Sequence, residues 1–222
     1  MNQYTYLTKN LLQITALFVS GVLLFVSFEP IVVRSATDSE EFTVSQEITE
    51  EVSITLSTTT VTMVGPIAGF TGGQATGTLD ISILANVGYN VTLAFDNNPA
   101  MLGETSGNTG ILNYTPGAGT PTYGFTPGAS AYFGYTVNAQ TQSDLVAAFL
   151  DNGATCGAGS QTTGHCWKAP STTAFTIMDR ATSALSGATS TITFVVNVPN
   201  NPSPALDADW YTATATLTAT TQ

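Results

Sequence analysis

The chain has 222 residues, of which 43 % are hydrophobic and only 9 % are charged, and its formal net charge is −11. The hydrophobic fraction is large enough for a packed core, which excludes a wholly disordered protein. Four Lys and Arg residues are too few for phosphate recognition, so nucleic acid is excluded as a partner.

Residues 1–36 are predicted to be a secretory signal peptide or a retained N-terminal membrane anchor. Lys9 precedes an almost unbroken apolar run of 18 residues from Leu11 to Phe28, and a polar stretch begins at Arg34. A positive start, an apolar middle and small residues behind it are typical of a signal peptide. A helix of this length is also almost long enough to cross a bilayer. Both alternatives place the remainder at the cell surface or outside the cell, with the membrane touching only this N-terminal apolar helix.

Residues 37–51 are predicted to be an acidic lead-in or an exchangeable strand. The stretch contains Asp38, Glu40, Glu41, Glu47, Glu50 and Glu51. Within it, Phe42 and Val44 alternate with Thr43 and Ser45, which predicts a short strand. A free strand behind a signal could add to the sheet edge of another subunit. The alternative is a charged segment that protects the first strand of its own sheet.

Residues 52–222 are predicted to form one all-β domain, an immunoglobulin-like or jelly-roll-like antiparallel β-sandwich. Apolar residues alternate with Thr and Ser in about eight or nine segments, which Gly, Pro and Asn stretches separate. The 39 threonines suit this architecture, because a β-branched side chain packs well on a pleated surface. The strongest pattern, from Leu79 to Phe95, predicts a hairpin with its turn at Asn86–Gly88.

One short helix is predicted to interrupt the strands. Thr141 could cap it, Asp144 follows three residues later as in a capping box, and the apolar stretch LVAAFL comes next. Gly153 would end the helix.

The two cysteines and the only histidine lie close together in the segment TCGAGSQTTGHCWK. In an exported protein, Cys156 and Cys166 are predicted to form a disulfide that stabilises the fold by about 3 kcal/mol. A thiolate nucleophile with His165 as its base, or a zinc site, are the alternatives. The disulfide is preferred because adjacent side chains usually point apart and a zinc site needs three or four ligands.

Other candidate sites have ordinary structural explanations as well. Asp96, Asp207 and Asp209 lie in oxygen-rich loops of the kind that can bind calcium, although Asp and Asn are also common turn residues. Aromatic faces can stack on sugars, and the candidates for such a platform are Trp167, Trp210, Tyr132 and Tyr135. The scattered acids could form a glycosidase pair, but their spacing does not indicate one. No Gly-x-Ser-x-Gly elbow occurs. No catalytic residue and no cofactor are therefore expected.

Two segments carry a family resemblance. The segment ADWYTATATLTAT resembles the closing strand of bacterial secreted surface β-sandwich proteins, which include fimbrial and spore-coat-type subunits, with Tyr211 just before the alternating Thr residues. The segment LDISILANVGYNVTLAFDN resembles their early hairpin. The resemblance implies a structural or adhesive role without catalysis. It also implies that the partners are copies of the same chain or other surface proteins, with glycans as a further candidate.

Overall fold

A computed structural model describes residues 8–16 and 39–222. Residues 8–16 are helical. Most of the apolar run from Leu11 to Phe28, and the end of the predicted signal or anchor, lie outside the described residues. Within the described parts, no helix is long and apolar enough to cross a membrane. The chain divides into two units, Met1–Glu47 and Ile48–Gln222.

The second unit is built of β-strands, which confirms the all-β prediction. Its strands are β1 (Val52–Leu56), β2 (Gly73–Ala85), β3 (Tyr89–Phe95), β4 (Leu102–Gly103), β5 (Ile111–Asn113), β6 (Thr122–Tyr123), β7 (Ala131–Ala139), β8 (Cys166–Trp167), β9 (Phe175–Arg180), β10 (Ala184–Val198), β11 (Tyr211–Thr212) and β12 (Ala215–Thr221). Most of the short ones, of two or three residues, lie in stretches with Gly or Pro, where alternation is too brief to be recognised in the sequence. β11 is the exception, because it lies in the alternating segment WYTATATLTAT, which the structure divides into β11 and β12.

The strands form two larger sheets and two short ribbons. One sheet has the order β1-β2-β10-β7-β5, the other has the order β12-β3-β9, and the ribbons are β4–β11 and β6–β8. Neighbours are antiparallel except β5 and β7, which are parallel. The expectation of purely antiparallel pairing is therefore wrong at this edge. A parallel neighbour needs a long connection, and residues 114–130 supply it.

The two sheets share one hydrophobic core. Every second residue of β2 and β3 is buried, as the alternation predicts. Across the core, the Phe95 ring of β3 meets the Phe133 ring of β7 edge to face, with the ring centroids 5.8 Å apart. The core is therefore formed by facing rows from different sheets.

The predicted hairpin from Leu79 to Phe95 is wrong. β2 pairs with β1 and β10, whereas β3 pairs with β9 and β12, so Asn86–Gly88 joins the two sheets. The alternation is the same in both arrangements, because it records only which side chains face the core. The Asn86 side chain donates to the Thr49 carbonyl and accepts from the Glu51 amide. It holds the start of β1 beside the connection.

The predicted helix between Thr141 and Gly153 is also wrong. Two single 3₁₀ turns, Gln142–Asp144 and Ala147–Phe149, replace it, and the Thr141 side chain makes no capping bond. Between the turns the chain is extended, and the Val146 amide donates to the Ile177 carbonyl of β9. Tertiary contacts therefore take the backbone groups that a continuous helix would have used.

Candidate functional site

The cysteine segment is a structural loop. Cys156 and Cys166 form the predicted disulfide, so neither sulfur is a free thiolate. Inside the loop, the Gln161 side chain bonds both backbone groups of Ala139, accepting from its amide at 2.8 Å and donating to its carbonyl at 2.9 Å. The disulfide and this amide clamp tie the loop to the end of β7.

His165 packs on an aromatic ring. Its ring centroid lies 4.7 Å from that of Tyr123, and its Nδ1 is buried without a hydrogen-bond partner. Over the described ranges there is no group of three or more His, Cys, Asp or Glu side chains that could hold a metal ion. Within the described part of the chain, no carboxylate makes a hydrogen bond or ion pair with His165 that would orient it as a base.

Asp207 and Asp209 act together as a clamp on the loop that follows β4. Asp209 Oδ2 accepts hydrogen bonds from the Thr105 amide, the Ser106 amide and the Ser106 hydroxyl. The Asn108 side chain donates to Asp207 at 2.9 Å. The bonds from Ser106, chiefly from its amide, lower the pKa of Asp209 to about 2.

Two other residues define the surroundings of this clamp. Gly103 leaves the space for it, because a Cβ there would lie only 2.8 Å from Asp209 Oδ2. Asp96, the third calcium candidate, is exposed just after β3, and its side chain makes no hydrogen bond within the described residues. The structure thus brings Asp207 and Asp209 to one loop, where protein donors bind both carboxylate oxygens of Asp209 and one of Asp207.

The four aromatic residues proposed as a sugar platform do not share a surface. Trp167 is only 7 % exposed, and its indole N–H donates to the Gly164 carbonyl; Tyr135 is buried as well. Tyr132 is half-buried, edge-on to Tyr114. Trp210 is 78 % exposed. Of these four residues, Trp210 alone therefore offers an open aromatic face.

Lys168 is a buried cation that the sequence did not single out. Its ammonium donates to the Ala118 and Gly117 carbonyls at 2.9 and 3.3 Å and lies 4.8 Å from the centroid of the Phe175 ring. Burial lowers its pKa. A Cβ on Gly117 would approach the Lys168 Cα to 3.0 Å, so glycine permits this close passage. A lysine in a loop segment gives no sign of such burial.

A second cation joins two parts of the core. Arg180 Nη1 lies 2.9 Å from Oδ2 of the buried Asp144. The same guanidinium donates to the carbonyls of Thr182 and Ser183. Both cations of the β-domain, Lys168 and Arg180, are therefore engaged inside the protein.

The acidic segment is open to solvent. Residues 39–51 contain neither strand nor helix, so the strand predicted at Phe42–Ser45 is absent from the isolated chain. Phe42, Val44 and Ile48 are 88 %, 83 % and 84 % exposed. These residues are two and four positions apart, so an extended strand would place all three on one face. The residues between them are polar or acidic.

The larger sheets end in four outer strands, and these differ in how they are protected. β5 has only three residues. The outer side of β9 is covered, because Leu145 bridges to Met178 and Val146 bonds Ile177. β1 and β12 lie next to each other in different sheets. Along the described chain, no strand pairs with the outer edge of either one.

The side chains of β1 and β12 that face the core are incompletely covered. Ile54 and Leu217 are half-buried, whereas Ile83 and Leu93, which pair with them in the neighbouring strands, are almost fully buried. Neither β1 nor β12 contains a charged residue or a proline. Such uncharged, unpaired edges are templates for a further strand.

No protein-family model matches the sequence, and no curated protein is significantly similar to it.

Proposed function

We propose that this protein is an exported structural or adhesive protein of a cell surface, without enzymatic activity. In this proposal its domain is an immunoglobulin-like or jelly-roll-like β-sandwich, and copies of the chain assemble into a fibre or a surface layer by strand addition. We call residues 42–48 the donor segment. Its apolar side chains carry the proposal, because Phe42, Val44 and Ile48 are all exposed on one chain.

The exposed apolar side chains of the donor segment favour association with another surface. Burying one large aliphatic or aromatic side chain stabilises a protein by about 1.5–3 kcal/mol. In the donor segment, Thr43, Ser45 and Glu47 separate the apolar residues. As a strand, the segment would therefore have one largely apolar face, on which Gln46 is the single polar residue, and one polar face. That pattern fits a strand added to a sheet with a core on one side.

Three features support export. The N-terminal pattern is that of a signal peptide or anchor. The disulfide between Cys156 and Cys166 is a bond that persists in oxidising compartments. The chain contains more hydroxyl groups than charges, since 39 residues are threonine and only 9 % of residues are charged.

Electron microscopy of the exported part tests assembly. The decisive variant carries F42T, V44T and I48T, and a second form lacks residues 37–51. The matched control carries F70T, L84T and L185T, which remove three exposed apolar side chains from the folded domain instead. We expect filaments or sheets from the wild type and the control, and neither from the donor variants. Assemblies from all forms, or from none, would contradict the proposal.

Trp210 supports carbohydrate binding as a second candidate function. Its face is exposed, and its backbone is fixed, because its carbonyl accepts from the Glu104 amide and its amide donates to Asp209. A rigid, exposed indole can stack on a sugar ring.

Sedimentation with insoluble chitin and cellulose tests this second function. Binding should be lost in W210A and kept in L185A, which removes another highly exposed apolar side chain elsewhere. Equal binding by W210A and the wild type, or no binding by the wild type, would exclude the site. A secreted hydrolase is the least supported alternative, because the candidate acids Asp207 and Asp209 are committed to holding a loop.

A further inference from the structure

We infer that the outer edge of β12 accepts the donor segment of a second copy of this chain. The inference rests on the proposed strand addition and adds the surface at which it occurs. The donor would become the fourth strand of the sheet β12-β3-β9, beside Ala215–Thr221.

Two of the four outer strands are unsuitable acceptors. β5 has three residues, too few for a stable ladder with a seven-residue donor. β9 is already covered by the extended chain at Leu145 and Val146. The choice is therefore between β1 and β12.

Length and charge favour β12 over β1. β12 has seven residues, as the donor segment has, whereas β1 has five. β1 directly follows Glu50 and Glu51, and the donor segment contains Glu47 and follows Glu40 and Glu41. Pairing at β1 would bring these carboxylates together, and like charges opposite each other destabilise a sheet. The β12 sequence, ATLTATT, has no charge.

The inner face of β12 has room for the apolar side of a donor. Leu217 is half-buried at the middle of β12, and Leu56 on the neighbouring β1 is exposed. On β3, which has strands on both sides, Val91 and Leu93 are almost fully buried. A further strand would cover Leu217 in the same way, with Phe42, Val44 and Ile48 directed towards the core and Gln46 on the same face.

The outer face is also compatible. Thr216, Thr218 and Thr220 of β12 point to solvent. A donor strand would place Thr43, Ser45 and Glu47 beside them. Hydroxyl pairs across neighbouring strands are favourable, and no like charges meet here.

Cross-linking between two singly substituted chains tests the accepting edge. One chain carries S45C, and the other carries T216C, T218C or T220C. These three acceptor positions test strand registers that differ by two residues. A short bis-maleimide joins the cysteines while the Cys156–Cys166 disulfide stays intact. Because each chain carries one added cysteine, a product of mixed mass reports only contact between two copies.

The controls place the acceptor cysteine elsewhere. T55C lies on β1, the rival edge, and S186C lies at an exposed position of β10. We expect mixed covalent dimers with the β12 cysteines, loss of the dimers when F42T, V44T and I48T are added to the donor chain, and none with T55C or S186C.

The outcomes separate this inference from the proposed function. A dimer with T55C in place of the β12 positions would overturn the choice of edge. Filaments without any cross-link to β12 would overturn the inference and leave strand addition in place. Absence of both filaments and cross-links would overturn strand addition as well.

Discussion

At the scale of single residues, Asp209 is stabilised in its ionised form by the loop it holds. Its pKa is lowered from 3.8 to about 2, first by the amide of Ser106. A carboxyl group whose pKa is depressed by folding stabilises the fold above its unfolded value, and this stabilisation is lost as the pH falls through the folded value. The contribution of Asp209 is therefore complete above about pH 4 and disappears towards pH 2.

We accordingly predict that D209N lowers the free energy of unfolding at neutral pH, and that wild type and variant converge as the pH falls towards 2. Urea unfolding at a series of pH values measures this difference. D96N serves as the control, because the Asp96 side chain has no hydrogen bond to lose within the described structure. A difference between wild type and D209N that does not change with pH would contradict the argument.

Burial disfavours the charged form of Lys168, whereas hydrogen bonds favour the charged form of Asp209. Desolvation lowers the pKa of Lys168 from 10.5. A lysine with a lowered folded pKa binds its proton less well in the folded state, so the wild type gains stability as the pH rises towards 10.5. We predict that wild type becomes more stable relative to K168M over this pH range.

Packing of the Lys168 side-chain stem contributes separately to the free energy of unfolding. The difference between K168M and K168A measures this contribution. Truncation of a buried chain of this size costs about 2–5 kcal/mol, so K168A should be the less stable of the two variants. Urea unfolding compares them. If K168A and K168M were equally stable at neutral pH, packing of the stem would not be the reason for its burial.

At the scale of elements, adjacent residues of one strand should differ sharply. Ile83 of β2 is fully buried, and the next residue, Leu84, is 52 % exposed on the other face. We predict that I83A lowers the free energy of unfolding by about 2–5 kcal/mol and that L84A changes it by less than about 1 kcal/mol. Chemical denaturation measures both. Equal losses would contradict the assignment of faces along β2.

The disulfide loop is the second element with a measurable contribution. Cys156 and Cys166 are ten positions apart. Replacing both by serine should lower the free energy of unfolding by about 3 kcal/mol, because the unfolded chain regains the freedom of the open loop. Thermal and urea unfolding measure the loss, and wild type in reductant should approach the variant. An unchanged stability would mean that Gln161 alone holds the loop.

At the scale of the whole molecule, protection from hydrogen exchange should follow the order of the strands. β10 has fifteen residues and pairs with β2 and β7 on its two sides. We predict the slowest amide exchange there and rapid exchange over residues 39–47, because exchange at buried, fully paired strands requires global unfolding. Mass spectrometry of peptic fragments measures both. Assembly should slow exchange in β12 and in the donor segment together.

Several features of the molecule were predictable from local patterns. The alternation in Leu79–Ile83 and Tyr89–Phe95 correctly indicated which side chains face the core. The disulfide followed from two cysteines and a signal-like N-terminus. The exposed face of Trp210 was also predicted, although Trp210 lies just before β11 and not in the last strand.

Other features depend on contacts between distant segments. The pairing of β2 and β3 with different partners was not readable, because alternation reports the face of a residue and not its neighbour strand. The helix at Thr141 was displaced when Val146 bonded Ile177, 31 positions further along the chain. The burial of Lys168 and Trp167 was likewise set by segments that meet only in the folded domain.

The amino-acid sequence by itself determined the β-class of the domain, the faces of its long strands and the disulfide, because each depends on side-chain period or on residues close in the chain. The tertiary structure alone decided the strand order, the parallel edge, the loop clamp by Asp207 and Asp209, and the open edge at β12. These depend on hydrogen bonds between distant segments. Most of them join backbone groups, which are nearly the same in every residue, and those of the clamp join side chains to a loop about 100 positions away.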